Sequence, residues 1–164
     1  MSEANKTAVA VIGAGIMGSA ITRRLLETGH QVHVFDLDAA KVGALVADGA
    51  VAAETAAAAT RAADFTILSL NSAAIVRAAV FGRNGVAEGA SADKLLIDMS
   101  SIDPVDTAQM SAQLKSDTGM AWVDCPLSGG APGALAGRLT IMAGGEADDF
   151  ERALGVIDAE AREK

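Results

Sequence analysis

Apolar positions in this chain fall into two alternating patterns, and each predicts a different element. Short blocks rich in Val, Ile, Leu and Phe, with no polar alternation, have the pattern of strands buried on both faces. They occupy 9–12, 31–35, 65–70, 94–98 and 120–124, with a weaker block at 49–52. Between them, apolar residues recur at helical spacing. In 18–28, Ala20, Ile21, Leu25 and Leu26 share one face, Arg23, Arg24 and Glu27 the other, and Gly29 stops the segment. Helices are also predicted over 39–47, 54–62 and 73–80, with 81–85 as a loop. Asp103 before Pro104 starts another, as N-cap and first helical residue, running to about Ser116 and ending before Gly119. No internal repeat or low-complexity linker interrupts the alternation, which predicts a single α/β domain with a doubly wound, mostly parallel sheet.

The first strand runs directly into Gly13-Ala14-Gly15-Ile16-Met17-Gly18 and then a helix. Each glycine has a separate task in that geometry. Gly13 permits the tight turn, Gly15 lets a pyrophosphate approach the main chain, and Gly18 lets helix and strand pack closely. The helix mouth around Ile16 and Met17 offers free N–H groups and a partial positive charge to phosphates. The second strand ends at Asp36, at the offset where a carboxylate meets an adenosine ribose. Together these predict dinucleotide binding on a Rossmann-type fold. Asp36 would accept from both ribose hydroxyls and repel the extra phosphate of NADP. No arginine follows at Leu37 or Asp38, and Lys41 would still be opposed by Asp36 and Asp38, so NAD is expected over NADP. Leu70, Asn71 and Ser72 leave the fourth strand at its carboxyl end, the edge where open α/β sheets bind ligands. Ser72 doubles as the N-cap of the next helix.

Composition narrows the partners. At 51% hydrophobic and 21% charged, the 164-residue chain is neither disordered nor membrane-spanning in character. A net charge of -8 and the absence of Tyr argue against nucleic acid, which is bound by basic faces and aromatic platforms. Residues 1–6 are polar, unlike a signal peptide, and the lone Cys125 has no disulfide partner, so a reducing, cytoplasmic setting is expected. His30 and His33 have no nucleophile or metal-ligand partner nearby, so they read as turn and strand residues and no metal is predicted.

Asp124-Cys125-Pro126-Leu127-Ser128-Gly129-Gly130, followed by Gly137-Arg138-Leu139-Thr140-Ile141-Met142-Ala143-Gly144-Gly145, resembles the substrate-binding region of the β-hydroxyacid dehydrogenases. These include 3-hydroxyisobutyrate dehydrogenase, tartronate semialdehyde reductase and the L-threonate dehydrogenases. The glycine turn and Asp98-Met99-Ser100-Ser101-Ile102 are similar to theirs, and the likeness covers nearly the whole chain in order. It implies hydride exchange between a nicotinamide and a small 3-hydroxy acid. Ser101 would border the nicotinamide ribose, and Ser128, Gly129 and Gly130 would cradle the acid's carboxylate. It also implies that a lysine acid/base lies in a helical second domain, so 1–164 is expected to be an NAD-binding domain without that catalytic domain. No catalytic residue is evident within it: Lys115 and Lys164 read as surface groups, Asp124 as a loop anchor and Cys125 as packing. A stand-alone NAD-binding sensor is the alternative, although it has no need of the 128–130 stretch. Without a covering domain, apolar surface beside Ile141, Met142 and the last helix is expected to be open. Self-association through that region, as a homodimer or by exchange of the C-terminal helix, would follow.

Overall fold

The computed structural model describes residues 7–163, with side chains described through 159. The elements follow in order: β1 (Ala8–Ile12), α1 (Ile16–Glu27), β2 (Gln31–Phe35), α2 (Ala39–Ala47), β3 (Val51–Ala52), α3 (Ala56–Arg61) and β4 (Phe65–Leu68). After them come α4 (Ala73–Phe81), α5 (Val86–Gly89), β5 (Leu95–Asp98), α6 (Pro104–Thr118) and β6 (Ala121–Asp124). The chain closes with β7 (Leu127–Ser128), α7 (Gly130–Leu135), β8 (Leu139–Ile141), α8 (Ala147–Glu160) and β9 (Ala161–Glu163).

Six strands form one parallel sheet in the order β3-β2-β1-β4-β5-β6. Their carboxyl ends are level: Ile12 lies beside Phe35 and Leu68, Leu68 beside Asp98, and Asp98 beside Asp124. The winding reverses between β1 and β4, which makes that end of the sheet a crevice. Apolar runs without alternation follow from burial on both faces. Val9, Val11, Ile67 and Ile97 join the core that includes Ile21 and Leu25 of α1 and Val156 and Ile157 of α8. Ala10, Ile12, Leu68 and Leu96 point the other way, toward Ala59 of α3, Val80 of α4 and Met110 and Leu114 of α6. Helix starts are capped locally, at Ser72 and Asp103 as the sequence implied and at Asp38 and Thr55 besides. Asp38, Thr55, Ser72 and Asp103 accept from the N–H groups of Ala40, Ala58, Ile75 and Val105. Gly119, at φ 80°, closes α6.

Four expectations need correction. Helix α1 begins at Ile16, a half-turn before Gly18, because Gly15 already serves as its N-cap. Strand β4 ends at Leu68: the Ser69 N–H still reaches the Ile12 carbonyl, but the Leu70 N–H turns away to the Ser100 hydroxyl. The 81–85 segment is a loop only from Gly82, and a short helix, α5, follows it. The expectation of open apolar surface holds for Met142, 64% exposed, but not for Ile141, which is buried. Strand β8 lies between β7 and β9 in a second, three-stranded sheet, and α8 folds Ala153, Val156 and Ile157 into the same core. Lys115 is exposed on α6; Lys164 lies outside the described residues. No helix among the described residues is long and apolar enough to cross a membrane.

Candidate functional site

The glycine turn shows why three glycines stand there and not one. Gly13 has φ 108°, and a Cβ on it would overlap the Ser69 carbonyl oxygen. A Cβ on Gly18 would overlap the Gly13 carbonyl oxygen. These two are glycines because the protein's own main chain fills the space. Gly15 differs. Its backbone is extended, at φ -68° and ψ -166°, and a Cβ there would meet nothing within 4 Å. The space beside Gly15 is open, and α1 begins there with no side-chain cap and no acidic residue in its first turn. Unpartnered helix N–H groups facing a gap in the side-chain surface have the chemistry of an anion cradle. Ile16, beside it, is 84% exposed, and Met17 is half-buried.

Asp36 holds the other side of the turn. One carboxylate oxygen accepts from the Ala14 N–H at 2.7 Å and the other from the Asp38 N–H at 2.8 Å. Strand β2 is thereby tied to the glycine turn, a structural task that the sequence did not reveal. Each oxygen keeps a further lone pair, so the half-buried carboxylate retains capacity for outside donors.

Two grooves meet at the turn. The larger, about 880 Å³, runs from Gly13 and Asp36 past Leu70 to Ile75 and Ala78 of α4 and the 83–85 loop. The smaller, about 420 Å³, joins Gly15 and Ile16 to Ser19, Arg23, Lys41, Ala131 and Leu135. The structure thus gathers Gly13, Asp36 and Leu70 into one groove and Gly15 and Ile16 into its neighbour. Ala131, directly after Gly130, lines the second. Ser101, Ser128, Gly129 and Gly130 lie outside both linings, all four exposed, and Met17, Gly18, Asn71 and Ser72 line neither groove. Asn71 is exposed, and the Ser72 hydroxyl is spent on capping α4. Gly129 and Gly130 have φ 130° and 63°, and Ser128 pairs with Thr140 across β7 and β8. Thr55, Ile75, Ala78, Arg83 and Asn84 were missed from sequence. The Gly82-Arg83-Asn84-Gly85 stretch, in which Asn84 takes φ 58°, was the available signal.

At the carboxyl ends of β5 and β6 lies a buried acidic group. Asp98 is fully buried; one oxygen accepts from the Ser100 N–H at 2.9 Å and Oδ2 has no protein partner. Burial first, with the Asp124 charge as a smaller cause, pushes its pKa up to about 6 against the hydrogen bonds from Ser100. Burial also raises Asp124, whose main chain is bonded both ways to Gly144. Cys125 is buried in the core, its thiol pushed up to about 12 by burial and then by Asp124 and Asp98. A thiol in that state is packing, not a nucleophile. His33 is half-buried on β2, its pKa lowered by burial, and His30 sits in a turn with Nδ1 3.0 Å from the Thr28 hydroxyl.

Comparison with known proteins adds three findings. The sequence family described as the NAD binding domain of 6-phosphogluconate dehydrogenase matches residues 8–163. The 3-sulfolactaldehyde reductase of Escherichia coli (strain K12) is 41% identical over 152 residues, covering 93% of this chain and 51% of that protein. The chain therefore spans about half the length of the curated relatives it matches. Among solved structures, Mycobacterium tuberculosis 3-hydroxyisobutyrate dehydrogenase with L-serine superposes at a TM-score of 0.87 and 32% identity, over 96% of this chain and 53% of that one. Psf3 in complex with NADP+ and 2-OPP reaches 0.89 at 29% identity, over 94% and 55%.

Proposed function

This chain belongs to the family of NAD-binding domains described for 6-phosphogluconate dehydrogenase, and from that premise we propose that it holds NAD for hydride exchange with a small 3-hydroxy acid. The observation that carries the reading is the open space at Gly15 beside the uncapped start of α1. Two flanking glycines are explained by the protein's own packing; the third is explained by a ligand. In this reading the pyrophosphate lies against Gly15, Ile16, Met17 and Gly18, and the adenosine half lies in the groove between Asp36 and Leu70. Asn71, Ser72 and Ser101 follow along the same sheet edge toward the nicotinamide. When bound, NAD supplies the hydride acceptor. The rest of the work belongs to the chain: donors at Ser128, Gly129 and Gly130 orient the acid's carboxylate, with two positive-φ glycines turning main-chain N–H groups toward an anion.

The substrate class rests on relatives whose names specify a 3-sulfolactaldehyde and a 3-hydroxyisobutyrate, both short anions. Because the Psf3 structure holds NADP+, cofactor choice must come from side chains, here the Asp36 carboxylate. Proton transfer has no evident agent among the described residues. Lys115 is exposed on α6, Lys94 donates to the Arg61 and Ala63 carbonyls, and Lys41 is exposed beside the glycine turn. The described residues are therefore assigned cofactor and anion binding; general acid/base help, typically worth ~10²–10⁴ in rate, is assigned to none of them.

Calorimetric titration tests this reading. NAD is expected to bind with at least tenfold preference over NADP, about 1.4 kcal/mol, and Asp36→Ala to narrow that gap. Equal affinity for the two, or no binding of NAD, overturns the reading.

A further inference from the structure

Hydrogen bonds from main-chain N–H groups to side-chain oxygens connect the buried Asp98 to the wall of the glycine turn, although the two lie on different strands. The Ser100 N–H donates to Asp98 Oδ1 at 2.9 Å, and the Ser100 hydroxyl, itself buried, accepts from the Leu70 N–H at 3.0 Å. The Met99 N–H donates to the Leu68 carbonyl, so the 99–100 segment folds across the end of β4. Leu70 and Ser69 in turn form the wall beside Gly13: a Cβ on Gly13 would meet the Ser69 carbonyl and lie 3.1 Å from a Leu70 methyl. Leu70 also lines the larger groove.

We propose that Asp98 is a positioning residue for the dinucleotide groove: through Ser100 it fixes the Leu70 amide, and with it the wall against which the glycine turn is seated. It touches no part of the groove itself. What the groove holds rests on the cofactor reading above; the link from Asp98 to Leu70 does not.

The surroundings explain why a carboxylate stands there at some expense of stability. Asp124 on β6 and the Cys125 thiol after it are the titratable groups that interact with its charge. On that face of the sheet, the buried residues of α4 and α6 are Val76, Val80, Met110 and Leu114, with Thr107 near the start of α6. Burial without a cation destabilises the ionised acid. An apolar residue would fill the space more favourably but would leave the Ser100 N–H without an acceptor. The acceptor is the function.

The test uses the full chain. In wild type, the Ser100 and Leu70 amide resonances are expected to titrate together, with one midpoint near pH 6. In Asp98→Asn both are expected to be flat across that range, and Asp124→Asn is expected to keep the titration at a lower midpoint. NAD affinity at pH 7.5 is expected to stay within about threefold in Asp98→Asn, which retains an acceptor oxygen, and to fall about tenfold in folded Asp98→Ala. A purely structural carboxylate predicts instead that affinity follows thermal stability across the three proteins. The proposal is overturned if the Leu70 amide ignores the titration that moves Ser100, if the titration survives in Asp98→Asn, or if folded Asp98→Ala binds as wild type. Should Asp98→Ala not fold, the amide titrations of the other two proteins decide. Should wild type not bind NAD, the cofactor reading fails while the amide titration still judges the link.

Discussion

Alanine placed in turn at Gly13, Gly15 and Gly18 separates the packing roles of the glycine turn from its ligand role. At Gly15 the backbone already lies in a region open to any L-residue, and the new methyl meets nothing. Restricting the unfolded chain favours alanine by roughly 0.4–1 kcal/mol. Against this, alanine is a poorer N-cap than glycine, by roughly 0.5–1 kcal/mol. The two nearly cancel, so Gly15→Ala is expected within about 1 kcal/mol of wild-type stability. Gly18→Ala drives its methyl into the Gly13 carbonyl, and Gly13→Ala meets the Ser69 carbonyl and also carries φ 108°. Overpacking against main chain sets the loss at roughly 1–3 kcal/mol for Gly18→Ala, and left-handed strain added at Gly13 raises its loss to roughly 2–5 kcal/mol. Affinity should be ordered the other way. The methyl at Gly15 occupies the place where a pyrophosphate would touch the main chain, so NAD binding is expected to weaken at least tenfold in a protein that is otherwise intact. Denaturant titration followed by the fluorescence of the single tryptophan, Trp122, gives the stabilities, and calorimetry gives the affinities. The reasoning is refuted if Gly15→Ala binds NAD as wild type does. It is refuted equally if that variant loses as much stability as the other two.

Other consequences are open to direct measurement. A folded-state pKa of about 6 against an ordinary 3.8 means that ionised Asp98 opposes folding by about 3 kcal/mol once the pH exceeds 6, with nothing opposed below the unfolded value. Asp98→Asn should therefore raise stability by up to about 3 kcal/mol at pH 7.5, and its advantage should disappear by about pH 4; a pH-independent difference in denaturation midpoints would contradict this. Cys125 should resist a thiol reagent in the native protein and react once denatured, and rapid stoichiometric labelling of the folded chain would refute its placement. Asp36→Ala, besides relaxing cofactor choice, should lower stability by roughly 1–2 kcal/mol, because the N–H of buried Ala14 loses its acceptor; an unchanged midpoint in urea would show the tie to β2 to be idle.

How much of this could be read from sequence depended on whether a feature was local. The run 9–12 and the helix after it were legible because hydrophobic period and glycine spacing act over a few residues. Asp103-Pro104 and Ser72 were legible as helix starts for the same reason, since a cap bonds to its own segment. The second sheet was not. Strands β7, β8 and β9 are two or three residues long, too short for period to register, and β9 joins from beyond a helix. The larger groove was half legible: Gly13 and Asp36 declare themselves, whereas Ile75, Ala78 and Asn84 reach it only because β2, α4 and the loop after α4 converge in space. Asp98 was the hardest to see. The strand that ends with it was legible as buried, but only the fold shows its carboxylate enclosed between β4 and β6 with one oxygen unpartnered.

That last case bears on why the carboxyl ends of the strands, and not their amino ends, concentrate the awkward groups. Lys94, just before β5, has its charge answered by two carbonyls at the amino end of the sheet. At the opposite end Asp98 keeps an unpartnered oxygen, Gly13 takes a left-handed φ, and α1 begins without a cap. Two of these could be relieved by an ordinary substitution: an apolar residue for the acid, a capping side chain at Gly15. Each such change would also remove something a ligand or its binding wall uses. Capping α1 from within would occupy the N–H groups meant for an anion, and an apolar residue at 98 would release Ser100 from Leu70. A ligand that binds only the folded chain returns stability as concentration exceeds its dissociation constant, about 2.7 kcal/mol at a hundredfold excess. That is of the size of the Asp98 penalty. Occupancy of the proposed site would therefore offset most of the cost of ionised Asp98.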